Sequence, residues 1–208
     1  MRCIDLIRQA IHALPDDAIF TTREMCQYGY RNDVDQAMFK LVRSGEIERL
    51  TWGVFIKYGK SRPSAYEVAR AKAKAFGKEL VEHGSNLAEE FEHLFEEQDR
   101  STSDQNQDTD VVYLVRGRSS SFRYGEIRVH MHGTTAKKIH ELETECGRTI
   151  RALWHLGQTT TGLHLYSALQ FLSPDLLDQI IAQAAWMPAW LADATRSVLS
   201  VRASPLPA

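Results

Sequence analysis

Apolar positions recur along the first sixty residues with helical spacing and then with the pattern of paired strands. Ile4, Ile7 and Ile11 share one face of a helix over residues 3–14, flanked by Leu6, Ala10 and Leu14. Pro15-Asp16-Asp17 stops it. Thr21-Thr22-Arg23-Glu24 has the spacing of a capping box, in which Thr21 accepts from the third helical residue and Glu24 reaches back. It predicts a second helix of about seven residues ending near Gly29. A third helix opens near Arg31-Asn32. Asn32 suits the N-cap, and Asp33 and Asp35 suit the positive end of the dipole. Val34, Ala37, Met38, Leu41 and Val42 form its apolar face, and Ser44-Gly45 ends it. Residues 46–50 and 54–58 read as strands joined by Thr51-Trp52-Gly53. Helix, short helix, turn, helix, hairpin is the order of a winged helix-turn-helix. A small α+β domain of another topology is the alternative.

Lys60 to Ser64 reads as a linker, followed by a helix from Tyr66 to Phe76 that Gly77 closes. A short strand over Glu79–Glu82 and a helix over Leu87–Phe95 come next. The run Asp99–Asp110 holds no apolar residue and is expected to be a mobile loop. Val111–Val115 is a strand, and Ser121–Tyr124 and Glu126–Met131 are two more, with Gly125 at the turn. Helices are predicted over 136–145, 147–156, 162–172, 174–185 and 188–199, with Ser173-Pro174 as N-cap and N1 of the fourth and a frayed tail from Ser204. The expected fold class is therefore α+β. A winged helix-turn-helix over 1–60 precedes a larger mixed α/β domain over 61–204 whose C-terminal part is helical. The sequence holds no internal repeat.

Composition narrows the classes. The chain has 208 residues, 43% hydrophobic and 25% charged, the mixture of an ordinary globular protein. No stretch approaches the roughly 20 apolar residues of a membrane span. Asp5 stands where a secretory apolar region would begin, and Cys3, Cys26 and Cys146 are odd in number and far apart. A reducing cytoplasm is the expected setting. The net charge of −2 hides an asymmetry: residues 1–80 carry 14 Lys+Arg against 10 Asp+Glu, and the remainder carries 11 against 17. A basic first part points to a polyanionic partner.

The third helix is the strongest place for such a partner. Off its apolar face stand Arg31, Asn32, Gln36, Phe39, Lys40 and Arg43. In a winged helix this element enters the major groove, where Arg and Lys meet phosphate or guanine and Asn and Gln pair with adenine. Phe39 suits a thymine methyl or a neighbouring domain. Arg49, Trp52 and Lys57 on the hairpin are placed to brace the backbone. Against this, Asp33 and Asp35 repel phosphate, surface cations are often merely solvated, and winged helices also serve as protein-interaction modules. A second basic patch is expected at Arg116, Arg118, Arg123 and Arg128; an ordinary charged hairpin tip is the alternative. Catalytic readings are thin. His130 and His132 share a strand face but have no obvious third metal ligand. His140 and Glu143 make a common helical surface pair, and Cys146 has no defined base. GxSxG, P-loop and GxGxxG patterns are absent, so no enzyme, cofactor or metal is expected. Trp154, Trp186 and Trp190 read as core.

Leu14–Glu24, Val34–Leu50 and Trp52-Gly53-Val54-Phe55 are together similar to the N-terminal winged helix of the AbiEi-like abortive-infection antitoxins and related bacterial winged-helix regulators. Met38, Lys40 and Phe55 stand where that pattern usually has Leu, Arg and Tyr. Glu67–Arg70, Val112–Leu114 and Thr149–Gly157 resemble its weaker later landmarks, so the likeness covers about 1–157 and leaves 158–208 outside it. The resemblance implies a DNA-binding antitoxin of a two-gene operon that represses its own promoter, with double-stranded DNA as partner and no membrane. It also implies a functional partner, a nucleotidyltransferase-type toxin that the antitoxin counters without binding it stably. Recognition helix and wing map to Arg31–Arg43 and Arg49–Lys57; no antitoxic residue carries over.

Overall fold

The computed structural model describes residues 2–88, 110–139, 143–159 and 162–203. Among the described residues the fold is mixed α+β with two small sheets, and the chain divides into two compact units. The first comprises Met1–Leu80, Asp108–Val111 and Ser119–His132; the second comprises Val81–Gln107, Val112–Arg118 and Gly133–Ala208.

In the first unit, helix α1 spans Cys3–Ala13 and buries Ile7 and Ile11. Strand β1, Phe20–Thr21, leads into α2, Thr22–Met25, whose capping box forms as the sequence requires. The Thr21 amide donates to Glu24 Oε2 at 2.7 Å and the Glu24 amide to Thr21 Oγ1 at 3.3 Å. The expected seven-residue helix is shorter, because Cys26–Tyr28 tightens into a 3-10 turn. Helix α3 spans Arg31–Arg43. Its N-cap is Tyr30, not Asn32, and Tyr30 makes no side-chain cap. The Tyr30 carbonyl takes the Val34 amide at 3.0 Å, so Asn32 already lies inside the first turn. At the other end the Ser44 amide donates to the Lys40 carbonyl at 2.9 Å, and Gly45 takes φ +71°, a left-handed stop that glycine adopts without strain.

Strands β2, Ile47–Thr51, and β3, Val54–Lys57, pair antiparallel, with an irregular register between Arg49 and Thr51. β1 joins β3 on its other side, Phe20 opposite Phe55, giving the order β1-β3-β2. Ile7, Ile11, Val34, Met38, Leu41, Ile47 and Phe55 form the core that holds α1 and α3 against this sheet. Helix α4, Ala65–Ala75, belongs to the same unit and opens on a second capping box, Ser64 with Glu67, that the sequence reading passed over. So do β6, Ser120–Tyr124, and β7, Ile127–Thr134, as far as His132; they pair antiparallel about Gly125. The Tyr124 hydroxyl donates to the Pro63 carbonyl at 2.6 Å.

Strands β4 and β5 span Leu80–Glu82 and Asp110–Arg116. Asp110, expected in a loop, opens β5. Residues 84–88 are helical; the rest of the helix expected to Phe95, and the polar run up to 109, lie outside the described residues. The helix expected over 136–145 is instead a 3-10 turn, Ala136–Ile139, with 140–142 outside the described residues and Glu145 opening the next helix. The second unit is built on α5, Glu145–Thr159; α6, Gly162–Phe171; α7, Pro174–Ala182; and α8, Ala189–Ala203. Ser173 caps α7 by accepting from the Leu176 amide at 3.2 Å, with Pro174 at the first helical position. The predicted 174–185 helix ends at Ala182 and gives way to a 3-10 turn, Ala184–Trp186. Leu153, Leu156, Leu169, Leu177, Ile180 and Leu191 centre this core, with Trp154 packed against it. Among the described residues no helix is long and apolar enough to cross a membrane.

Candidate nucleic-acid interface

Helix α3 buries Val34, Ala37, Met38 and Leu41 and leaves the rest of its surface to solvent. Arg31, Asn32, Gln36, Phe39, Lys40 and Arg43 are all exposed, as the helical period requires once the apolar face is satisfied. The β2–β3 hairpin stands beside this surface. Between them lies a groove of about 400 Å³ lined by Arg31, Asp35, Phe39, Arg49, Trp52 and Phe55. Four of the sequence-predicted residues thus meet in one place, two from the helix and two from the hairpin.

Cations in and beside the groove rest on aromatic faces. The Arg49 guanidinium carbon lies 5.5 Å from the centre of the Trp52 ring and 5.5 Å from that of Phe55. Arg43 lies 5.9 Å from the Phe39 ring centre. Stacking orders the guanidinium plane while leaving N–H groups at its edge to meet an acceptor. Trp52 is 77% exposed, Phe39 53% and Tyr30, which the sequence reading did not single out, 86%. Arg31 is already engaged: its Nε donates to Asp35 Oδ2 at 2.8 Å, and that hydrogen bond holds the guanidinium protonated above its ordinary range. Arg31 and Asp35 are 58% and 50% exposed, so the pair is weak.

Lys57 is placed elsewhere. Its ammonium donates to the Leu14 carbonyl at 2.6 Å and to Asp16 Oδ1 at 3.3 Å, closing the end of α1, and its side chain is 15% exposed. The strand alternation showed which positions leave the core but not that a neighbouring helix terminus would claim this one. Lys72 on α4 was missed for the opposite reason. It reads as an ordinary helix-surface lysine, yet it donates to the Trp52 carbonyl at 2.8 Å and holds the hairpin turn.

The second basic patch is divided. Arg123 and Arg128 stand opposite each other across β6–β7 in the first unit, whereas Arg116 and Arg118 belong to the second. His130 Nε2 is 3.0 Å from Asp110 Oδ2, and its ring centre is 6.2 Å from that of His132. Among the described residues no group of three or more His, Cys, Asp or Glu is placed to hold a metal ion. Cys146 is buried in α5; Glu143 precedes that helix and His140 lies outside the described residues. No family model matches the chain, and no curated protein matches it.

Proposed function

We propose that residues 1–60 act as a winged helix-turn-helix that binds duplex DNA, and that the chain is a transcriptional autoregulator serving as the antitoxin-like partner of a toxin–antitoxin operon. The observation that carries the DNA reading is the juxtaposition of α3 with the β2–β3 hairpin. The groove between them brings Arg31 and Phe39 from the helix beside Arg49 and Trp52 from the hairpin, and Asn32, Gln36, Lys40 and Arg43 are exposed on the same helix. Helix side chains read base edges in the major groove, and hairpin side chains brace the phosphates. The antitoxin role rests on the resemblance of the first 58 residues to the AbiEi-like pattern. In this reading the chain represses its own promoter and counters a nucleotidyltransferase-type toxin.

Exposure of Tyr30, Phe39 and Trp52 favours a second reading, in which the same surface packs on a protein partner. Fluorescence anisotropy with the duplex upstream of the gene, against a scrambled duplex, separates the two. Engagement of about 5 phosphates gives a log–log salt slope near −4.5 and a preference for the native duplex. An aromatic protein-docking surface gives no duplex binding at either salt concentration.

A further inference from the structure

Asp35 is a carboxylate on a surface otherwise suited to a polyanion. It follows Arg31, the first residue of α3, by one helical turn, and both side chains line the groove between that helix and the β2–β3 hairpin. The Arg31 Nε donates to Asp35 Oδ2 at 2.8 Å, and the Cys26 sulfur is a further, weaker partner of the guanidinium. Among the described residues Asp35 Oδ1 accepts no hydrogen bond. With Nε–H committed to the carboxylate, the guanidinium still carries the N–H groups of its Nη1 and Nη2 fork. The carboxylate itself can only accept. The bonded pair therefore presents donor, donor and acceptor in that order.

Major-groove edges of base pairs differ in the same property. A G·C pair shows the N7 acceptor, the O6 acceptor and the N4 donor, whereas an A·T pair shows acceptor, donor, acceptor. The Arg31–Asp35 pair complements the first. On the second it sets a guanidinium donor against the adenine amino group and the carboxylate against thymine O4. Spacing agrees with this choice. Guanine O6 and cytosine N4 are hydrogen-bonded to each other, about 2.9 Å apart, and Arg31 Nε and Asp35 Oδ2 are 2.8 Å apart. Place in the helix agrees as well, because the N-terminal residues of a recognition helix are those that meet base edges. A carboxylate facing phosphate is only repelled, while a cytosine amino group gives it a donor.

We propose that Arg31 and Asp35 together read one G·C base pair of the operator, Arg31 on the guanine and Asp35 on the cytosine amino group. This rests on the duplex-DNA reading above and makes Asp35 a specificity-determining residue of that surface. The full chain is titrated by anisotropy with the duplex upstream of the gene and with copies of it in which each base pair is replaced in turn. One position is expected at which G·C is preferred by about tenfold or more over A·T and over the reversed C·G. Both side chains are at least half exposed, so their variants are expected to keep the fold. Asp35→Ala brings the preference at that position to within about twofold. It still binds the scrambled duplex at least as tightly as the parent, since a negative charge has left the surface. Arg31→Lys keeps the charge, loses the fork and loses the same preference. Lys40→Ala instead weakens every duplex alike and flattens the log–log salt slope by about 1. A purely structural Asp35 would lower the urea midpoint and all affinities together, with the preference intact. Parent-like preference in Asp35→Ala, or no position at which G·C is favoured, overturns the inference while duplex binding stands. Absence of duplex binding at either of two salt concentrations overturns the inference and the duplex-DNA reading together.

Discussion

The Lys72 ammonium donates to the Trp52 carbonyl at 2.8 Å and stands 5.2 Å from the centre of the Phe122 ring. Helix α4 therefore holds the tip of the β2–β3 hairpin, and burial pushes the lysine pKa down from its ordinary value. The turn it fixes carries Trp52, one wall of the groove. Lys72→Met keeps the apolar stem and removes the bond. We expect a loss of about 1–2 kcal/mol in stability and a several-fold loss in duplex affinity. Urea unfolding and anisotropy on the same variant check both, and an unchanged affinity would show that the hairpin tip is not used.

Lys57 and Arg49 lie on adjacent strands but are expected to behave oppositely. Lys57→Met leaves the Leu14 carbonyl without its charged donor, costing about 1.5–3 kcal/mol, while duplex affinity of the folded protein stays within about twofold of the parent. Arg49→Ala removes an exposed cation stacked on Trp52, leaves the urea midpoint nearly unchanged and flattens the log–log salt slope by about 1. The pair separates a cation used by the fold from one offered to a polyanion.

Arg8 grips Glu46 with two bonds, Nε to Oε2 at 2.7 Å and Nη2 to Oε1 at 3.0 Å, tying α1 to the corner between α3 and β2. That hydrogen bonding holds the Glu46 carboxyl below the usual glutamate range. A carboxyl lowered in the folded state contributes fully above its unfolded pKa, and the contribution fades as pH falls through the folded value. Glu46→Gln is therefore less stable than the parent at neutral pH, by about 1 kcal/mol for a partly exposed pair. The two urea midpoints converge in the acid range below the ordinary glutamate pKa. A difference that persists to low pH would assign the loss to packing instead.

Gly84 and Gly157 both pack closely within the second unit, with different neighbours. A Cβ at Gly84 meets backbone, the Arg151 carbonyl oxygen at 2.3 Å; one at Gly157 meets the outer edge of the Trp190 ring at 2.3 Å. Backbone inside a long helix cannot give way, whereas the partly exposed indole can pivot. Gly84→Ala is expected to cost about 1–3 kcal/mol and Gly157→Ala less. Denaturant midpoints at unchanged slope check the order.

Local chemistry was readable where one short segment contains both partners of an interaction. The Thr21–Glu24 capping box, the Gly45 stop, the Ser173-Pro174 start and the Gly125 turn each follow from residues within four positions of one another. The outward face of α3 follows as well, since the apolar residues of a helix name its polar side by subtraction. The Asn32 expectation failed because cap preference ranks residue types, and the backbone of Tyr30 reached the Val34 amide two positions earlier in the chain.

What the sequence by itself determined is thus the order of the longer helices and of the two hairpins, though not the short strand Phe20–Thr21 or the 3-10 turn Ala136–Ile139, because hydrogen bonding within helices and tight turns is local and the apolar period is written into the chain. Only the tertiary structure decided which exposed charges are available and which are engaged. Lys57 belongs to the end of α1, 43 residues away at Leu14, and Lys72 to a turn 20 residues away. Such pairings depend on where the packed cores bring distant segments together, and no spacing along the chain encodes that distance.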